Sequence, residues 1–169
     1  MRRSMLFAVL LCATPAVAVA QPTLLAGGGF TSPVSDFKDV ADPGYHVSLG
    51  AEVGIPSLPV GLRLDGSYHR LPEPSSAFVA PRVLAGALSV VFELPGEGIE
   101  PYFLFGVGRY RVEAGPVASA RPVYDRGFQT GFGVSLGGLA LGAFAEIRWV
   151  QVGGTTDVKY IPVTVGIRL

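Results

Sequence analysis

The stretch that most constrains this chain runs from Lys159 to Leu169. Its odd positions are Lys159, Ile161, Val163, Val165, Ile167 and Leu169; its even positions are Tyr160, Pro162, Thr164, Gly166 and Arg168. Successive side chains of a strand point to opposite faces, so this segment is a strand with one greasy face and one small or polar face. A terminal apolar strand leaves an open edge in a soluble sheet. Closing a barrel removes that edge, and inside a membrane closure is obligatory because every backbone polar group must be paired. The segment is therefore expected to be the closing strand of a barrel.

Seven more strand-like runs precede it: Thr23–Phe30, Tyr45–Gly54, Val60–Arg70, Arg82–Leu94, Tyr102–Val112, Arg126–Leu136 and Leu139–Val150. Most alternate cleanly. In the second, Tyr45, Val47, Leu49, Ala51 and Val53 oppose His46, Ser48, Gly50 and Glu52. The fifth is ambiguous, because Arg109 falls on the same face as Phe103, Phe105 and Val107, which suggests a bulge or an interfacial arginine. No window after residue 20 has a helical period. The runs are close to the roughly 9–11 residues that a tilted strand needs to cross a bilayer.

The connections alternate in length. Residues 55–59 and 95–100 are short, and Gly137-Gly138 reads as a two-residue hairpin. Residues 31–44, 71–81, 113–125 and 151–158 are longer and polar. Short turns at one end and long loops at the other match a membrane barrel with its short turns in the periplasm.

Composition agrees. Of 169 residues, 23 are Gly and 14 Pro, and only 15% are charged. The 13 basic and 13 acidic residues balance, so no field favours nucleic acid. Residues 1–20 read as a secretory signal peptide: Arg2 and Arg3, an apolar centre from Met5 to Cys12, and Ala18-Val19-Ala20 before Gln21. Residues 21–169 are then a single domain without cysteine, since Cys12 leaves with the signal.

These features together resemble the small eight-stranded outer-membrane β-barrels of bacteria, the OmpA/OmpX-like family. The resemblance implies an all-β, antiparallel up-and-down transmembrane barrel in the outer membrane. It implies outer-membrane lipid as surroundings and the barrel-assembly machinery as a partner during biogenesis. That machinery reads the last strand, here Val165, Ile167 and Leu169, with Leu169 where the family usually has Phe.

In such a barrel the greasy face meets lipid. Phe30, Tyr45, Tyr68, Phe128 and Trp149 lie on it near the long-loop ends and read as an aromatic girdle, with Phe92 near the other end. The opposite face, mostly Gly, Ala and Ser, carries Glu52, Arg63, Asp65, Glu93, Glu146, Arg148 and Arg168. An eight-stranded barrel is only wide enough for side chains, so these charges are expected to pair and plug the lumen. Counting back from the turns sets Glu52 opposite Arg63 and His46 opposite His69. It also sets Phe144 opposite Gly131 and Gln129 opposite Glu146.

No residue pattern here demands chemistry. Gly27-Gly28-Gly29, Gly106-Val107-Gly108 and Gly131-Phe132-Gly133 precede no helix, so they are not phosphate loops. His46 and His69 lack the further ligands of a zinc site. Both point inward, unlike the catalytic groups of lipid A-modifying barrels; Ser75 and Ser76, with Glu73, are the nearest outer-rim hydroxyls. No metal and no cofactor are expected. The expected function is non-enzymatic, structural or surface-interacting, through loops carrying Asp36, Phe37, Lys38, Asp39 and Asp42 or Arg121, Tyr124 and Arg126. The alternatives are a narrow pore, a lipid A-modifying enzyme and a soluble lipocalin-like barrel.

Overall fold

The computed structural model describes residues 21–73, 78–116, 121–136, 141–154 and 157–169. The signal segment, Ser75, Ser76 and the Gly137-Gly138 pair lie outside them. Eight strands close a barrel in chain order: β1 (Thr23–Val34), β2 (Gly44–Gly54), β3 (Val60–Arg70), β4 (Phe78–Glu93), β5 (Ile99–Pro116), β6 (Val123–Leu136), β7 (Gly142–Gly153) and β8 (Val158–Arg168). Every neighbouring pair is antiparallel, β8 with β1 included. At the seam Leu169 exchanges two backbone hydrogen bonds with Leu24, each 2.8 Å.

The apolar face is outside. Leu49, Leu64, Phe105, Val107 and Val165 are all exposed. This arrangement excludes the lipocalin-like alternative, whose apolar face must line the interior. Strand β5 runs in unbroken phase, with Phe103, Phe105, Val107 and Arg109 outward and Tyr102, Leu104, Tyr110 and Val112 inward. Its register with β4 is regular from Arg82 to Glu93, and the one irregularity falls between Val79 and Arg82. Arg109 is thus an outward arginine, not the mark of a bulge.

Registers across β2 and β3 follow the count from the turn: Glu52 pairs with Arg63 and His46 with His69. Those across β6 and β7 do not. Gly131 lies opposite Arg148, Gly133 opposite Glu146, Ser135 opposite Phe144 and Gln129 opposite Val150. A count from Gly137-Gly138 gives the wrong partners because the ladder starts with Leu136 opposite Ala143. The slip is an even number of residues, so each side chain keeps its face while its partner changes. Phe144 instead lies over Gly27 and Gly166, where a Cβ would meet its ring.

The barrel interior has three layers. Val91, Tyr102 and Leu104 cluster toward the short-turn end. Charged side chains fill the middle. Toward the long loops lies an apolar layer that includes Val83, Tyr110, Val112, Val150, Val152 and Tyr160. A 3-10 turn at Ser35–Asp39, after β1, drops Phe37 into this layer, where it is 3% exposed. Phe37 was expected at the surface of the first loop. The structure buries it because the mouth of the barrel offers it apolar walls.

Candidate functional site

The middle layer is the most developed polar arrangement among the described residues. It is one alternating chain of acids and arginines. Arg168 Nη2 donates to Glu93 at 3.4 Å and to Glu52 at 3.0 Å. Arg63 Nε donates to Glu52 Oε2 at 2.6 Å, and Arg63 Nη1 to Glu146 Oε2 at 2.7 Å. Arg148 pairs with Glu146 through its Nε and with Asp65 through Nη1, the latter at 3.0 Å. The order is therefore Glu93, Arg168, Glu52, Arg63, Glu146, Arg148, Asp65. No two like charges are neighbours along it.

Each member is placed by strand parity. β2, β3, β4, β7 and β8 all contribute inward positions, from the strand ends at Glu93 and Arg168 up to Arg148 and Asp65, so residues distant in sequence converge. Neutral groups complete the set. Tyr102 donates to Glu146 Oε2 at 2.9 Å, and its ring lies 5.0 Å from the Arg63 guanidinium carbon. Gln129 accepts from Arg148 at 3.2 Å and donates to Ser89 at 2.9 Å. Charges this deep are tolerable only when paired and hydrogen-bonded.

Above the network, His46 and His69 stack with ring centroids 5.0 Å apart. Thr31 Oγ1 lies between their Nδ1 atoms, 3.0 Å from His46 and 2.8 Å from His69. Thr164 meets His46 Nε2 at 2.9 Å and Ser67 meets His69 Nε2 at 2.9 Å. Hydroxyl groups thus occupy all four ring nitrogens. Among the described residues no group of three or more His, Cys, Asp or Glu could hold a metal.

The outward aromatics sit as parity places them. Phe30, Tyr45, Phe128 and Trp149 are exposed and Tyr68 is half-buried, with Phe92 exposed at the short-turn end. On the last strand Val165, Ile167 and Leu169 are exposed and outward. Tyr124 and Arg126 belong to β6 rather than to a loop, and Arg121 precedes that strand. Asp36, Lys38, Asp39 and Asp42 are exposed around the buried Phe37.

Sequence reasoning missed the apolar upper layer. Its signal was present in the inward parity of Tyr110 and Val112 with Tyr102 and Leu104, and in Val150 and Tyr160. The ambiguous phase assigned to β5 hid it.

A closed, antiparallel, up-and-down barrel of eight strands is the fold of the small bacterial outer-membrane barrels. Solved structures of that class superpose on this one. Neisserial surface protein A matches with a TM-score of 0.75 at 15% identity, covering 89% of this chain and 97% of its own. Ail, the attachment invasion locus protein of Yersinia pestis, matches with a TM-score of 0.60 at 13% identity, covering 87% and 95%. It has also been solved in complex with the heparin analogue sucrose octasulfate. The N-terminal β-barrel domain of Pseudomonas aeruginosa OprF matches with a TM-score of 0.57 at 16% identity, covering 89% and 99%. No protein-family model and no curated protein matches the sequence.

Proposed function

We propose that this protein is a non-enzymatic barrel of the bacterial outer membrane, delivered there by the signal peptide of residues 1–20, with a closed lumen and with its working surface on the outside and at the long-loop end. The observation that carries this reading is the continuous charge chain from Glu93 to Asp65, roofed by Tyr110, Tyr160 and Phe37. Side chains hydrogen-bonded to one another across the lumen occupy the space that a solute would need. The two histidines, sequestered inside by Thr31, Ser67 and Thr164, are turned away from any lipid substrate. Outer-membrane lipid surrounds the apolar face, the assembly machinery reads β8, and an extracellular ligand is met by the loop end.

The test is conductance after refolding residues 21–169 into a planar bilayer, with unboiled gel mobility reporting the folded barrel. A folded barrel without discrete channels supports the reading. Discrete, salt-dependent channels overturn the closed lumen. Recovery of the protein from the soluble periplasm would overturn the membrane assignment.

A further inference from the structure

The outward face of the β3–β6 wall carries an arrangement that the charge-filled lumen does not explain. One cross-strand row runs Gly66, Gly86, Arg109, Arg126, Gly153, all exposed. Arg109 and Arg126 are directly opposed on neighbouring strands. Like charges so placed are destabilising unless something of opposite sign lies between them. Among the described residues, neither forms an ion pair with a carboxylate. The motif repeats nearby: Arg70 of β3 directly opposes Arg82 of β4, and both are exposed. Arg111, one rung above Arg109, lies over the Tyr124 ring. Glu113, half-buried, lies opposite Arg82.

The height of the pair is informative. Arg109 stands ten positions from the short-turn end of β5 at Ile99, and Arg126 ten from that of β6 at Leu136. At about 3.3 Å per residue and a tilt of about 40°, that is roughly 25 Å along the barrel axis, the height of an outer-membrane apolar band. The two guanidiniums therefore sit where lipid tails give way to headgroups.

Directly beneath them is a groove of about 630 Å³. Leu64, Leu88, Val107 and Phe128 line it, Gly86 leaves its floor open, and Arg109 and Arg126 form its rim. That volume falls in the range of about 300–1,000 Å³ typical of ligand sites. Two forked cations above an apolar slot match a phosphate attached to a hydrocarbon chain, since guanidinium geometry suits bidentate phosphate contact.

We propose that Arg109, Arg126 and the groove beneath them form a binding site for a phosphorylated membrane lipid, the arginines taking the phosphate and the groove an acyl chain. This rests on the reading that the outward face meets lipid. A lipid is the source, rather than free phosphate, because the groove opens onto the apolar belt and has no use for an ion.

The test uses residues 21–169 refolded into phosphatidylcholine nanodiscs with a minor share of diphosphorylated lipid A, or of the same lipid with its phosphates removed. Native mass spectrometry reads the lipid retained. The phosphorylated form should be retained preferentially. The double variant R109Q/R126Q should lose about fivefold per guanidinium removed, corresponding to about 1 kcal/mol each. G86L should also reduce retention by filling the groove; a Cβ at Gly86 meets nothing within 4 Å, so the barrel tolerates it. Equal retention of both lipids, or of wild type and R109Q/R126Q, would overturn the phosphate site. Undiminished retention by G86L would overturn the acyl groove. Inorganic pyrophosphate binding in micelles as strongly as the lipid would assign the site to free phosphate and overturn the lipid proposal. Heat-shifted mobility of each variant is read separately, so failure of the barrel to insert is distinguished from failure of the site.

Discussion

Arg63 of β3 and Glu146 of β7 meet across the lumen at 2.7 Å, although 83 residues separate them. Arg63 is also bound to Glu52, so one guanidinium holds two buried carboxylates. Replacing it with Met should leave both acids buried without their shared cation. The expected loss is about 3–5 kcal/mol. Urea unfolding of the refolded barrel in lipid vesicles measures it. A midpoint unchanged from wild type would show that the network carries no such weight.

Gly133 faces the Tyr102 ring so closely that a Cβ there collides with it. Gly133→Ala should push the ring off Glu146 and cost about 1–3 kcal/mol. In a Tyr102→Leu background the same change should cost much less. The coupling energy from a double-mutant cycle is the measurement, and a value near zero would contradict the packing described.

Tyr110 carries a buried hydroxyl with no hydrogen-bond partner among the described residues. Removing an unsatisfied polar group is neutral or favourable. Tyr110→Phe should therefore leave the unfolding midpoint unchanged or raise it. Destabilisation by about 1 kcal/mol or more would mean that the hydroxyl is bonded.

Phe37 anchors the turn of the first long loop in the upper layer, while Lys38 beside it is exposed. Phe37→Ala removes the anchor and frees the segment for local opening. Trypsin cleavage after Lys38 should accelerate by at least about tenfold, given a loss of more than about 1.4 kcal/mol of local holding energy. The barrel itself should stay folded by gel mobility. Equal cleavage rates would place the loop's order elsewhere.

On β8, Val165 is 63% exposed on the outward face. Val165→Asp sets a carboxylate against lipid at a cost of about 2 kcal/mol or less, depending on depth. Deleting Leu169 removes its two hydrogen bonds to Leu24 at the seam. Both should reduce the heat-shifted fraction after refolding and in cells. Normal mobility for both would remove β8 from the assembly argument.

Alternation alone was enough to separate inward from outward residues, because parity is a local property of a strand and survives errors in its ends. That is why Glu52, Arg63, Glu146 and Arg148 could be assigned to one interior from the sequence. The β2–β3 register was equally legible, because residues 55–59 fix the count between Gly54 and Val60. The β6–β7 register was not. Gly137-Gly138 suggests a tight hairpin count, whereas the ladder begins at Leu136 and Ala143. Which acid meets which arginine was likewise beyond the sequence. Arg63 reaches Glu146 only because closure of the barrel brings β3 and β7 to opposite sides of one narrow lumen. The burial of Phe37 depends on the same closure, whereas the opposition of Arg109 to Arg126 depends on the register of β5 with β6. The sequence by itself determined the faces, since each strand carries its own period of two. The tertiary structure decided the partners, since these depend on where neighbouring strands begin and on the curvature that joins the first strand to the last.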